Sequence, residues 1–188
     1  MIDSSHTHGD PVAWVRRFQT LIPAGGIVLD VACGNGRHSR FLAKLGYRIC
    51  AVDRDVSGVE DLIGTAGIEV VEADLETQSW PFAGRTFDGI VVVNYLYRPL
   101  VPHLRLALAD GGVLIYQTFA RGNEKYGRPR NPDFLLQDGE LLDMFGDGLR
   151  VVAYESGLVE GETPAVVQRL CAINRAPDAE VPPVLPLR

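Results

Sequence analysis

Residues 26 to 38, Gly-Ile-Val-Leu-Asp-Val-Ala-Cys-Gly-Asn-Gly-Arg-His, constrain the fold more than any other stretch of the chain. Ile27, Val28, Leu29 and Val31 favour a buried strand, Gly34 and Gly36 turn the backbone, and an amphipathic helical pattern begins just beyond. That order puts peptide N–H groups at the positive end of a helix, with no Cβ at the glycines to keep a ligand away. A second signal follows about twenty residues later, where Arg48-Ile49-Cys50-Ala51-Val52-Asp53 reads as a strand ending in an acid. From that position a carboxylate accepts hydrogen bonds from both ribose hydroxyls. The two segments together predict an α/β fold that binds a nucleoside-containing ligand.

The residues also carry a resemblance. Asp30-Val31-Ala32-Cys33-Gly34-Asn35-Gly36 resembles the first motif of the class I S-adenosylmethionine-dependent methyltransferases, with Ala32 standing where glycine is common. Asp53 falls at the end of the second strand, Val71-Glu72-Ala73-Asp74-Leu75 resembles the adenine-binding third motif, and Phe87 to Tyr95 resembles the fourth. The Gly-Asn-Gly-Arg run and the compact size are most similar to the tellurite-resistance type of these enzymes and its bacterial relatives. The resemblance extends over residues 26–175. It implies S-adenosylmethionine as cofactor, and contacts to it from Asp30, Ala32, Cys33, Gly34, Gly36, Arg37, His38, Asp53, Arg54, Asp74, Leu75 and Asn94. It also implies a Rossmann-like, seven-stranded mixed α/β sheet with helices on both faces.

Composition sets the class of molecule. At 188 residues, 46% hydrophobic and 22% charged, the chain suits one globular domain over residues 11–175, with a polar leader at 1–10 and a Pro-rich tail at 176–188. A net charge of −6 disfavours a broad nucleic-acid-binding surface. No stretch of about 20 apolar residues spans a membrane and no signal peptide precedes the domain, so the expected location is the cytoplasm. Cys33, Cys50 and Cys171 lie in apolar strands or the glycine loop and read as buried thiols. His6 and His8 are two apart with no further ligand near in sequence, so no metal site is expected.

Pro11 to Ile22 has a helical apolar stripe, in which Trp14 and Phe18 pack on the sheet or border the active site. Asp55 to Ala66 reads as a short helix and Pro99 to Ala109 as another, with Asp110-Gly111-Gly112 a turn before a strand at 113–119. Asp138 is expected to cap a helix ending at Phe145. The strands at 149–154 and 165–173 have no helix between them. They form a hairpin, which gives the sheet one antiparallel strand.

The strand at 89–93 delivers Asn94, Tyr95 and Tyr97 to the carboxyl edge of the sheet, where open α/β folds bind ligands. These are the candidate catalytic residues, with His103 and Asp133 as alternative bases. Residues 120–137 are too long and polar for a plain connection and form a candidate substrate loop. Arg98 and, in the loop, Arg121, Lys125, Tyr126, Arg128 and Arg130 are the candidate substrate contacts, which point to an anionic or planar small-molecule acceptor; methyl transfer from S-adenosylmethionine, which the resemblance implies, also suits a soft nucleophile such as a thiol or metalloid. Two other classes share the glycine loop, a nicotinamide-dependent oxidoreductase and a non-catalytic cofactor-binding regulator. Asp74 and the terminal hairpin weigh against the first.

Overall fold

The computed structural model describes residues 9–161 and 163–174. The leader histidines His6 and His8 and the tail at 176–188 lie outside them.

Strand β1 (Ile27–Val31) pairs in parallel with β2 (Arg48–Asp53) and β4 (Phe87–Val93), and β2 pairs with β3 (Ile68–Glu72). Strand β5 (Leu108–Phe119) lies parallel to β4. The hairpin of β6 (Leu149–Val159) and β7 (Ala165–Asn174) completes a seven-stranded sheet of order β3-β2-β1-β4-β5-β7-β6, in which β7 runs opposite to the other six strands. Order reverses between β1 and β4, so the crevice at the carboxyl ends of those strands is the natural ligand site.

The central strands are mostly apolar because both faces are covered, with Asp30 in β1 and Gln117 and Thr118 in β5 as buried polar exceptions. One face packs Leu29, Val52, Ile90, Val92 and Leu114 against α3 (Val101–Leu106), α4 (Glu140–Phe145) and the Phe82 loop. The other packs Val28, Ala51, Val91 and Ile115 against α1 (Ala13–Phe18) and α2 (Arg37–Lys44). Trp14 and Phe18 belong to this second core, where the Trp14 indole donates to the Leu170 carbonyl at 3.1 Å, and they do not reach the crevice.

Several local expectations change. The helix expected at 55–66 is a 3₁₀ turn, Ser57–Leu62, consistent with two glycines in so short a segment. The Pro99 helix is shorter, and the Asp110-Gly111-Gly112 turn is a register shift inside β5. α4 is capped by Gly139, whose φ of 71° only glycine adopts freely, with no side-chain cap from Asp138. No helix among the described residues is long and apolar enough to cross a membrane. All three cysteines are free and buried, and burial pushes the Cys50 and Cys171 thiols up to about 12.

Candidate active site

The glycine loop is shaped by three residues with positive φ: Ala32 (52°), Gly34 (53°) and Gly36 (69°). Gly36 caps α2 at a point where a Cβ would meet Val59 at 2.5 Å. Beneath the loop, Asp30 is buried and accepts a 2.6 Å hydrogen bond from the Ser39 hydroxyl. Burial raises its carboxyl to about 6, only partly offset by Ser39. His38 is also buried, and its Nε2 accepts from the Val12 N–H at 3.4 Å. Asp30 and His38 therefore brace the loop from below. Cys33 sits under it too, its thiol raised by burial and by Asp30.

Asp53 closes the loop from the side, its Oδ2 accepting from the Gly34 N–H at 2.8 Å and its Oδ1 from the Asp55 N–H at 3.1 Å. A cleft of about 370 Å³ opens beside it, lined by Ala32, Asp53, Arg54, Ala73, Asp74, Leu75 and, at its far end, Glu76, Tyr95 and Phe134. Asp74 accepts from the Glu76 N–H at 2.9 Å, which holds its carboxyl below the usual range. This donor set fits a nucleoside: a carboxylate at ribose height, a second acid beyond it, and an apolar floor. Of the expected cofactor residues, Ala32, Asp53, Arg54, Asp74 and Leu75 line this cleft, whereas Asp30, Cys33, Gly34, Gly36, Arg37 and His38 build the loop at its edge.

A second cavity of about 240 Å³ adjoins the first and shares Glu76, Tyr95 and Phe134 with it. Its remaining lining is Asn94, Leu96, Thr118, Phe119 and Pro129. Asn94 leaves β4 with a φ of 59°, which redirects the chain so that Tyr95 faces the junction of the two cavities. The Tyr116 hydroxyl donates to the Tyr95 carbonyl at 2.9 Å, and the Tyr97 hydroxyl donates to the Glu76 carbonyl at 3.1 Å. Tyr97 lines neither cavity.

Arg98 also departs from expectation. Its guanidinium makes a two-point ion pair with Glu140 (2.6 and 2.9 Å) and donates to the carbonyls of Asp133 (2.6 Å) and Leu135 (3.2 Å), so it ties down the 131–140 segment and lines neither cavity. Arg121, Lys125, Tyr126, Arg128 and Arg130 line neither cavity, although none of the four cations forms an ion pair among the described residues. The loop reaches the site through Pro129 and Phe134. His103 stacks on Trp80 at 5.5 Å in an exposed position, Asp133 is exposed on the loop, and neither lines either cavity. Glu76, Thr118 and Phe119 were not anticipated; Thr118 and Phe119 are the last residues of β5 and Glu76 follows the Asp74-Leu75 motif, and that place at the carboxyl edge is the one signal that marks them. The described residues contain no cluster of metal ligands.

A reversed-order sheet with a terminal antiparallel hairpin, a glycine loop and an acid after β2 define a class I methyltransferase fold. Residues 28–112 match the family described as methyltransferase domain. It is 33% identical over 103 residues to the protein-L-isoaspartate O-methyltransferase of Chlorobaculum tepidum, covering 50% of this chain and 45% of that relative. The chain thus spans less than half the length of this curated relative. Among solved structures it resembles TehB from Haemophilus influenzae, with a TM-score of 0.69 at 18% identity over 86% of this chain and 61% of the other. It also resembles NodS from Bradyrhizobium japonicum in complex with S-adenosyl-L-homocysteine, with a TM-score of 0.64 at 17% identity over 93% of each chain. At these identities the structures establish the fold.

Proposed function

We propose that this chain transfers a methyl group from S-adenosylmethionine to a small acceptor seated in the second cavity. The observation that carries the reading is the meeting of two cavities at Tyr95, Glu76 and Phe134. In this arrangement Asp53 holds the ribose hydroxyls, Asp74 and the Leu75 N–H meet the adenine edge, and the 32–36 loop at the start of α2 receives the amino-acid end. The cofactor, when bound, supplies an electrophilic methyl on a sulfonium.

Displacement at that methyl needs no protonation of the leaving group, so the protein's task is alignment, worth roughly 7–11 kcal/mol at its best. Tyr95 and Asn94 stand where the two ligands meet and fix the approach of the acceptor; Phe119 and Phe134 exclude water from it. The cations Arg121, Lys125, Arg128 and Arg130, which form no ion pair among the described residues, support an acceptor that also carries an anionic group, and thiol or metalloid nucleophiles are admissible because they need no base. Calorimetric titration with S-adenosylmethionine, S-adenosylhomocysteine and NAD tests the proposal. Saturable binding of the first two and none of NAD is the expected result, and binding of NAD alone overturns it.

A further inference from the structure

Glu76 is the one acid shared by both cavities that no motif assigns a role. Its backbone is fixed on both sides, the N–H by Asp74 and the carbonyl by Tyr97, and it lines the junction of both cavities. The second cavity contains no cationic side chain in its lining, and Glu76 forms no ion pair among the described residues. Aromatic residues from three separate elements line the same cavity: Tyr95 after β4, Phe119 at the end of β5 and Phe134 in the loop. An uncompensated carboxylate in an aromatic-walled cleft is chemistry for an organic cation, which gains from the charge and from the ring faces together. Burial and the neighbouring Glu76 push the Tyr95 phenol above its ordinary value, so its hydroxyl stays protonated and donates toward Glu76.

We infer that the acceptor's nucleophile is an amine, bound as its ammonium against the Glu76 carboxylate and the rings of Tyr95, Phe119 and Phe134. The inference rests on the methyl-transfer reading and narrows it; an anionic group on the same molecule falls toward the loop cations. The step balances as follows in charge and atoms. The ammonium releases one proton to water at the open mouth of the cleft. Its nitrogen lone pair then forms the N–C bond as the C–S bond breaks with its electron pair passing to sulfur. Positive charge moves from sulfur to nitrogen, and Glu76 lies beside the atom that receives it, so its stabilisation grows along the reaction.

The test is calorimetry on the full chain. S-adenosylhomocysteine is titrated first, then the saturated protein is titrated with benzylamine, benzyl alcohol, benzyl mercaptan and benzoate. Benzylamine should bind about tenfold more tightly than the alcohol. Glu76→Gln should abolish that preference and Glu76→Asp retain part of it; Glu76 is exposed, so neither change disturbs the core. Failure to bind benzylamine, equal binding of amine and alcohol, a preference for the mercaptan or benzoate, or a preference that survives Glu76→Gln overturns the inference. Absence of S-adenosylhomocysteine binding instead sinks the methyl-transfer reading, so the two failures are told apart in one experiment.

Discussion

The Asp53 carboxylate accepts the Gly34 N–H at 2.8 Å, so the acid that ends the second strand also fixes the loop that follows the first. A carboxylate has spare lone pairs after that bond and the one from Asp55, which leaves it able to serve a ribose. Asp53→Ala removes both the loop contact and the ribose acceptor. S-adenosylhomocysteine affinity should fall about 30-fold, or about 2 kcal/mol. Asp53→Asn retains one oxygen for Gly34 and should fall between the two. Affinity unchanged in the alanine variant, measured by calorimetry on protein with a normal unfolding curve, removes the ribose assignment.

Asp30 and His38 give the loop opposing pH dependences. The fold binds the Asp30 proton more tightly than the unfolded chain does, its pKa moving from 3.8 to about 6. The stability linked to it is present below about pH 4 and is lost as pH rises to 6, about 3 kcal/mol in all. For His38 burial, then Arg37, moves the pKa from 6.5 down to about 4, so its contribution is present above 6.5 and lost on acidification. Asp30→Asn keeps an acceptor for Ser39 but removes the first dependence. Relative to wild type, the variant should gain about 3 kcal/mol between about pH 4 and about pH 7 in urea unfolding. A difference that stays constant across that range shows that Asp30 titrates normally.

Arg98 joins the start of α3's segment to the far end of the loop, and the loop's shape depends on it. Burial works against the Glu140 carboxylate, but Arg98 and the Gln137 N–H hold its pKa below the ordinary value. Arg98→Ala should cost about 1–2 kcal/mol and expose residues 121–134 to limited proteolysis. Arg98→Lys should not restore protection, because one ammonium cannot reach the carboxylate and two carbonyls in the same plane. Protection equal to wild type in both variants would falsify the clamp.

What could be read from the chain follows from the range of the interactions involved. Asp53 and Asp74 were legible because each ends or follows a strand whose pattern is local. The loop at 120–137 was legible as a site element through its length and polarity. Its cations drew attention, yet the residues that line the cavity are Pro129 and Phe134, a matter of how the loop folds back. The tie from Arg98 to Glu140 was not legible because the two lie 42 residues apart, a distance no local pattern spans. Asp138 lost its capping role to Gly139, since a left-handed residue at the helix start removes the geometry a side-chain cap requires.

Ala32 is the departure from the usual motif with a measurable cost. It adopts a φ of 52° between β1 and the two glycines, a region in which a Cβ costs roughly 1–2 kcal/mol. Glycine relieves that strain but loosens the unfolded chain, so Ala32→Gly should stabilise the protein by about 0.5–1 kcal/mol net. The urea midpoint should rise with the slope unchanged. At Gly36 the reverse holds: φ is 69° and a Cβ would lie 2.5 Å from Val59, so Gly36→Ala should cost about 2 kcal/mol or more. Should Ala32→Gly lower the midpoint, the loop gains more from the alanine side chain against the cleft than it loses to its backbone, and the methyl group would then be part of the cofactor floor.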